Sequence, residues 1–187
     1  MKQQGFTLIE IAIVMVIIGL LLGGVLKGQE LVMSARIKNI INDFNGIASA
    51  FYSYQERYRA YPGDDAKASR WANVPKGNGN GNLDENEKTL FWQHLRESGF
   101  LTGSGTLAPN HAANGAFSVL TNIKNLSGWG ICAQNLPAKI ALAIDSQIDD
   151  GEPNKGVVRA YSDVNAQNEV SVYTESEAVL YTLCRKL

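Results

Sequence analysis

The sequence predicts an α+β fold: one long N-terminal helix packed on a small antiparallel β-sheet domain. Three observations predict it. Residues 6–58 contain no proline and, over their second half, repeat apolar residues at spacings of three and four. Short β-branched and aromatic runs appear only later in the chain. Segments rich in Gly, Asn, Ser and Pro separate these runs, so helices and strands are segregated rather than alternating.

The long helix has two characters. Phe6 to Leu26 supplies 21 residues with only Glu10 charged, enough for the ~20 that cross a bilayer. Gly19, Gly23, Gly24 and Gly28 punctuate it. They suit either local unwinding, at ~1 kcal/mol per glycine, or close packing of helices through small residues. Beyond Lys27 the apolar residues Ile37, Ile40, Ile41, Phe44, Ile47, Ala48, Phe51 and Tyr58 form one stripe. Lys38, Asn39, Asn42, Asp43, Asn45, Ser49 and Ser53 occupy the opposite face. Ala60-Tyr61-Pro62-Gly63-Asp64-Asp65 stops the helix.

A helical turn is expected at 66–71, then a low-complexity loop at 76–82. A second helix is expected over 85–98, ended by Gly99, and a third over 139–148, ended by Asp149-Asp150-Gly151. Strands are expected at 116–120, 129–134, 157–160, 170–173 and 179–183.

A chain of 187 residues fits one anchored domain. A formal net charge of −1 argues against a nucleic-acid binder, which needs a basic field. The lysines and arginines around the helix are spread among acids and read as a solvated face.

The N-terminus carries the most specific signal, Gly5-Phe6-Thr7-Leu8-Ile9-Glu10. A short polar leader ends at Gly5, and the apolar helix follows it. An ordinary secretory signal has a shorter apolar core and small residues before its cut. The segment resembles the class III signal of type IV pilins and type II secretion pseudopilins. The resemblance covers about the first 30 to 58 residues. It implies cleavage by a prepilin peptidase between Gly5 and Phe6, N-methylation of Phe6, and assembly roles for Glu10 and Thr7. It divides the chain into a leader (1–5), a transmembrane part (6–26), an amphipathic part (27–58) and a globular head (59–187), the pilin lollipop. Many pilins carry a proline near the place of Lys27, and this chain does not.

A carboxylate in lipid needs a cation. Lys27 lies ~25 Å from Glu10 at 1.5 Å per residue, so the new α-amine of Phe6, on the same or a neighbouring subunit, is the expected partner. Glu10 then sets register during assembly. Calcium is a second expectation. Asn78, Asn80, Gly81, Asn82, Asp84 and Glu87 fall on positions 3, 5, 6, 7, 9 and 12 of an EF-hand-like loop. Lys76 occupies the place of the first carboxylate, for which Asp64 or Asp65 could substitute. Asn and Gly also make good turns without any ion. A second acidic cluster, Asp145, Asp149, Asp150 and Glu152, reads as a helix end running into a turn.

Cys132 and Cys184, 52 residues apart, form a disulfide if the domain is exported, or stay as separate buried thiols if it is not. His94 and His111 belong to no nucleophile or zinc pattern. Phe51, Tyr52, Tyr54, Tyr58 and Tyr61 read as a core-facing or subunit-facing stripe.

The resemblance implies a structural subunit, not an enzyme. It would be single-pass in the inner membrane before assembly, then part of a periplasmic or extracellular filament. Its partners would be other pilin-like subunits, the prepilin peptidase and the inner-membrane assembly machinery. The alternatives are a minor pilin acting as an adhesive or DNA-binding tip module, and an anchored hydrolase using His94 or His111.

Overall fold

The structure, a computed structural model, describes residues 7–174, 176 and 178–187. It divides into two units, one up to Arg36 and one from Ile37 to Leu187. The first is helix alone. Helix α1 (Leu8–Tyr58) begins there and stays continuous across Gly19, Gly23, Gly24 and Gly28. A Cβ at any of those glycines would meet nothing, so no contact within the chain requires their smallness. The side chains from Leu8 to Leu26 are all exposed, and this stretch is long and apolar enough to cross a membrane.

The second unit starts where the stripe starts. Ile37, Ile40, Phe44, Ile47, Ala48, Phe51 and Tyr54 of α1 are buried. Each large apolar side chain buried this way stabilises the fold by about 1.5–3 kcal/mol. Tyr54 is fully buried, although the sequence reading put Tyr58 on the stripe; Tyr58 is only half-buried. Arg59, with φ 53°, ends the helix by leaving helical space three residues before Pro62.

A 3-10 turn (Ala68–Arg70) and helix α2 (Lys88–Glu97) follow. Gly99, with φ 78°, closes α2, and Phe100 N–H bonds back to the Leu95 carbonyl at 3.0 Å. The sheet contains β1 (Phe117–Leu120), β2 (Gly130–Pro137), β3 (Val158–Tyr161) and β4 (Leu180–Lys186), in the order β1-β2-β4-β3 and antiparallel throughout. Helix α3 (Ala138–Ile148) leads directly out of β2. One face of the sheet (Phe117, Val119, Ile131, Ala133, Leu183) joins the core with α1 and α2, and Phe44 meets Phe117 edge to face at 5.2 Å.

Three expectations need correction. Residues 170–173 form no strand: after a single bridge between Tyr161 and Glu169 the chain turns away, and Tyr173 bonds to α3 instead. β2 runs past Gln134 to Pro137 through an irregularity at Ala133/Leu136, where Asn135 takes φ 59°. β4 continues to Lys186 because Arg185 and Lys186 find partners on β2.

Cys132 and Cys184 form a disulfide and face each other directly across β2 and β4. Both are fully buried. Replacing the pair by serines is expected to lower unfolding free energy by about 4 kcal/mol, the chain-entropy value for a loop of this size. Urea unfolding of the wild type with and without reductant checks it, and coincident curves would show that the bond stabilises nothing.

Candidate functional site

Gly5 and Phe6 lie outside the described residues. At the start of α1, Thr7 and Glu10 close a reciprocal box. The Glu10 carboxylate accepts from the Thr7 backbone N–H and hydroxyl, both at 2.8 Å, and the Thr7 hydroxyl accepts from Glu10 N–H at 3.4 Å. Thr-x-x-Glu is the capping-box spacing, in which two otherwise orphaned N–H groups at a helix start are satisfied. The spacing is visible in the sequence, where the resemblance implies assembly roles for both residues but no cap. The box ties the Glu10 carboxylate to Thr7 at the first turn of the helix.

The loop at 76–82 is held by two buried carboxylates, each bonded to backbone N–H groups. Asp64 accepts from Gly79 at 2.6 Å, Asn80 at 3.0 Å and Gly81 at 2.7 Å. Glu87 accepts from Asn78 N–H at 2.8 Å and Asp84 N–H at 3.0 Å. Asn78 and Asn80 turn their side-chain oxygens onto Asn80 and Asn82 N–H, at 2.9 and 2.8 Å. Their amide nitrogens donate to Asp84, at 2.6 and 3.2 Å. Asn82 is exposed. The loop's donors and acceptors thus satisfy one another. Gly77 permits the approach, since a Cβ there would run into the backbone of Gly63 and Asp64.

Next to Asp64, the buried Asp65 takes the Tyr54 hydroxyl at 2.6 Å, Lys67 N–H at 2.7 Å and the Arg70 guanidinium at 2.7 Å. Burial pushes its carboxyl up, and these bonds more than offset that, holding it below the usual carboxylate range. Tyr52, Tyr58, Tyr61, Asp64 and Gly79 line an open cleft of about 700 Å³ beside it. Of the aromatic run, Phe51 and Tyr54 are buried, while Tyr52 is half exposed.

Both histidines serve the backbone. His94 is fully buried; its Nδ1 accepts from Gly63 N–H at 2.9 Å and its Nε2 donates to the Pro75 carbonyl at 2.9 Å. His111 lies 2.8 Å from the Gln134 carbonyl and accepts Ala113 N–H at 3.2 Å. Among the described residues, no hydrogen bond from a serine, cysteine or carboxylate reaches either ring.

Among the described residues, three acids close enough to share an ion lie elsewhere, at Asp145, Asp149 and Asp150. Asp145 is fully buried on the same face of α3 as Ile140, Ala141 and Ile144, whereas Leu142 is exposed. The helical period from Ile140 and Ala141 could have located it.

Against known proteins, residues 1–26 match the family model described as the prokaryotic N-terminal methylation motif. Among solved structures, the major type IV pilin PilA1 from Clostridium difficile is similar at 13% identity and a TM-score of 0.47, covering 82% of this chain and 94% of that chain. No curated protein matches the sequence.

Two outcomes are expected. Asp64→Asn leaves the Gly81 N–H or its neighbours without a carboxylate, costing about 1–3 kcal/mol and speeding proteolysis within 76–82; an unchanged digestion rate would refute the clamp. Burial holds both imidazoles below their ordinary value. The unfolded chain therefore takes up protons near pH 6.5 that the fold resists, and stability falls as pH drops below about 6.5. Asp145, raised to about 6 by burial first and its acidic neighbours next, works in the opposite sense. The check is therefore comparative: His94→Gln loses less of its stability between pH 7.5 and 5.5 than the wild type does.

Proposed function

We propose that this chain, which carries the prokaryotic N-terminal methylation motif, is a structural subunit of a type IV pilus-like filament. The observation that carries the reading is the juxtaposition at its start. Gly5-Phe6-Thr7-Leu8-Ile9-Glu10 leads into an apolar helical stretch whose side chains are exposed throughout in the single chain. Such a surface is stable only in lipid or against copies of itself. The stretch therefore serves first as a membrane anchor and then as the filament core.

Processing cuts after Gly5 and methylates the new amine on Phe6. Glu10, held by Thr7 in the capping box, presents its charge to that amine on a neighbouring subunit and sets the axial register. The unit from Ile37 onward forms the filament exterior. Its disulfide suits an exported domain, and with the long second half it favours a pilus over a secretion pseudopilus. The engagement of both histidines with backbone supports a mechanical rather than a hydrolytic role. An adhesive or DNA-binding tip module is the alternative; salt-sensitive DNA binding by the isolated protein would favour it.

Glu10→Ala tests the reading. The variant should be cut after Gly5 and methylated on Phe6, by mass spectrometry of the mature N-terminus, while sheared filaments disappear from electron micrographs. Filaments at wild-type abundance would overturn the register role. An uncut N-terminus in the wild type would overturn the whole proposal.

A further inference from the structure

The C-terminal end of α3 gathers negative charge that no ion pair among the described residues neutralises. One carboxylate oxygen from each of Asp145, Asp149 and Asp150 lies within 4.8 Å of the others. They sit at the negative end of the helix dipole, and the last turn of α3 contains no basic residue. Among the described residues no ion pair reaches any of the three; the nearby Lys155 pairs with Glu152 at 3.8 Å.

The fold holds these acids together despite their repulsion. Asp149 Oδ2 accepts Val157 N–H at 2.5 Å and Val158 N–H at 2.9 Å. Asp150 Oδ1 accepts Glu152 N–H at 2.8 Å. Gly156, with φ 65°, lies so close to the Asp149 carboxylate that a Cβ would overlap it. Tyr173 donates to Asp145 Oδ2 at 2.7 Å. Each carboxylate is thus oriented through one oxygen.

The second oxygen of Asp145 is the independent observation. Asp145 is fully buried, the Gly151 N–H lies close to its carboxylate, and among the described residues its Oδ1 makes no hydrogen bond of good geometry. A buried carboxylate gathered with two further carboxylates is strongly unfavourable unless a cation or a proton sits among them. A hard divalent cation satisfies all three at once, since oxygen donors at irregular angles are what calcium accepts and magnesium tolerates poorly.

We propose that Asp145, Asp149 and Asp150 form a binding site for a divalent cation of the calcium type. The bound ion ties the end of α3 to the loop at 149–157 and, through Tyr173, to the segment that leaves β3. The site is separate from the 76–87 loop, where Glu87 accepts backbone N–H groups and Asp84 accepts the Asn78 and Asn80 amides, and it does not depend on the filament reading.

The test is terbium luminescence and calcium calorimetry on the full-length chain in detergent micelles, stripped with chelator. The wild type should bind one calcium with a dissociation constant of about 10⁻⁴–10⁻³ M, the range of extracellular modules. Terbium emission should be sensitised through Tyr173 and fall in Tyr173→Phe. Asp145→Asn should weaken binding by about tenfold or more, as one of the charged ligands that set affinity is lost. Asp150→Asn, at an exposed position, should do the same with an unchanged circular dichroism spectrum, which covers the case in which Asp145→Asn does not fold. Glu87→Gln should bind like the wild type. Absence of saturable binding at about 10 mM calcium would overturn the proposal. So would loss of binding in Glu87→Gln with retention in Asp150→Asn, which would place the ion in the 76–87 loop.

Discussion

Asp65 is almost wholly buried and ionised, a combination the fold maintains by surrounding it with three donors from separate places. The Tyr54 hydroxyl comes from α1, the Lys67 N–H from the turn and the Arg70 guanidinium from the 3-10 segment. Arg70 also stacks over the Tyr58 ring at 4.5 Å and the Trp71 ring at 4.9 Å, so its position is fixed from two sides. Losing one partner would leave a buried charge uncompensated, which typically costs 3–5 kcal/mol. The same turn places Asp64 beneath the 76–82 loop and Gly63 N–H against His94 of α2. Two adjacent acids and the glycine before them therefore join the end of α1, the loop and α2.

This dependence explains what could and could not be read from the letters. The stripe on α1 was legible because a 3.6-residue period places Ile37, Ile40, Phe44, Ile47 and Phe51 on one side whatever they later touch. Both helix ends marked by glycine, at Gly99 and Gly151, were legible for the same local reason. The strand expected at 170–173 failed because β propensity records how well Val and Tyr suit a pleated surface, not whether a neighbouring edge is free to pair. There the stronger attraction is between Tyr173 and the buried Asp145, 28 residues away.

The oxygen-rich loop shows a subtler gap. The spacing of Asn78, Asn80, Asn82, Asp84 and Glu87 falls in a loop where side-chain oxygens and a tight backbone meet. What those oxygens bind depends on backbone N–H groups, which every residue except proline carries and no letter distinguishes. Asp64 holds the loop from 15 residues upstream. It entered the sequence reading only as a substitute ligand. Conversely, Asp145 looked like part of an ordinary helix end, because charge at a C-terminus is common. Its burial follows from the face it shares with Ile140, Ala141 and Ile144.

The sheet adds a constraint on how the unit from Ile37 onward becomes stable. β4 is the last strand in sequence, yet it is an inner strand, paired with β2 on one side and β3 on the other. Until residues 180–186 arrive, β2 and β3 each present an edge without a partner, the kind of edge that invites pairing with other chains. The contacts that close the sheet span about 50 residues, and closure of such long loops is slow. A bond between Cys132 and Cys184 joins the two inner strands at directly opposed positions, so once formed it holds β4 against β2 in this register. Leu187 N–H then bonds to the Trp129 carbonyl at 2.9 Å, tying in the chain end itself. The disulfide therefore holds together the strands whose pairing is topologically last, and the edges it keeps closed are those that would otherwise invite pairing with other chains.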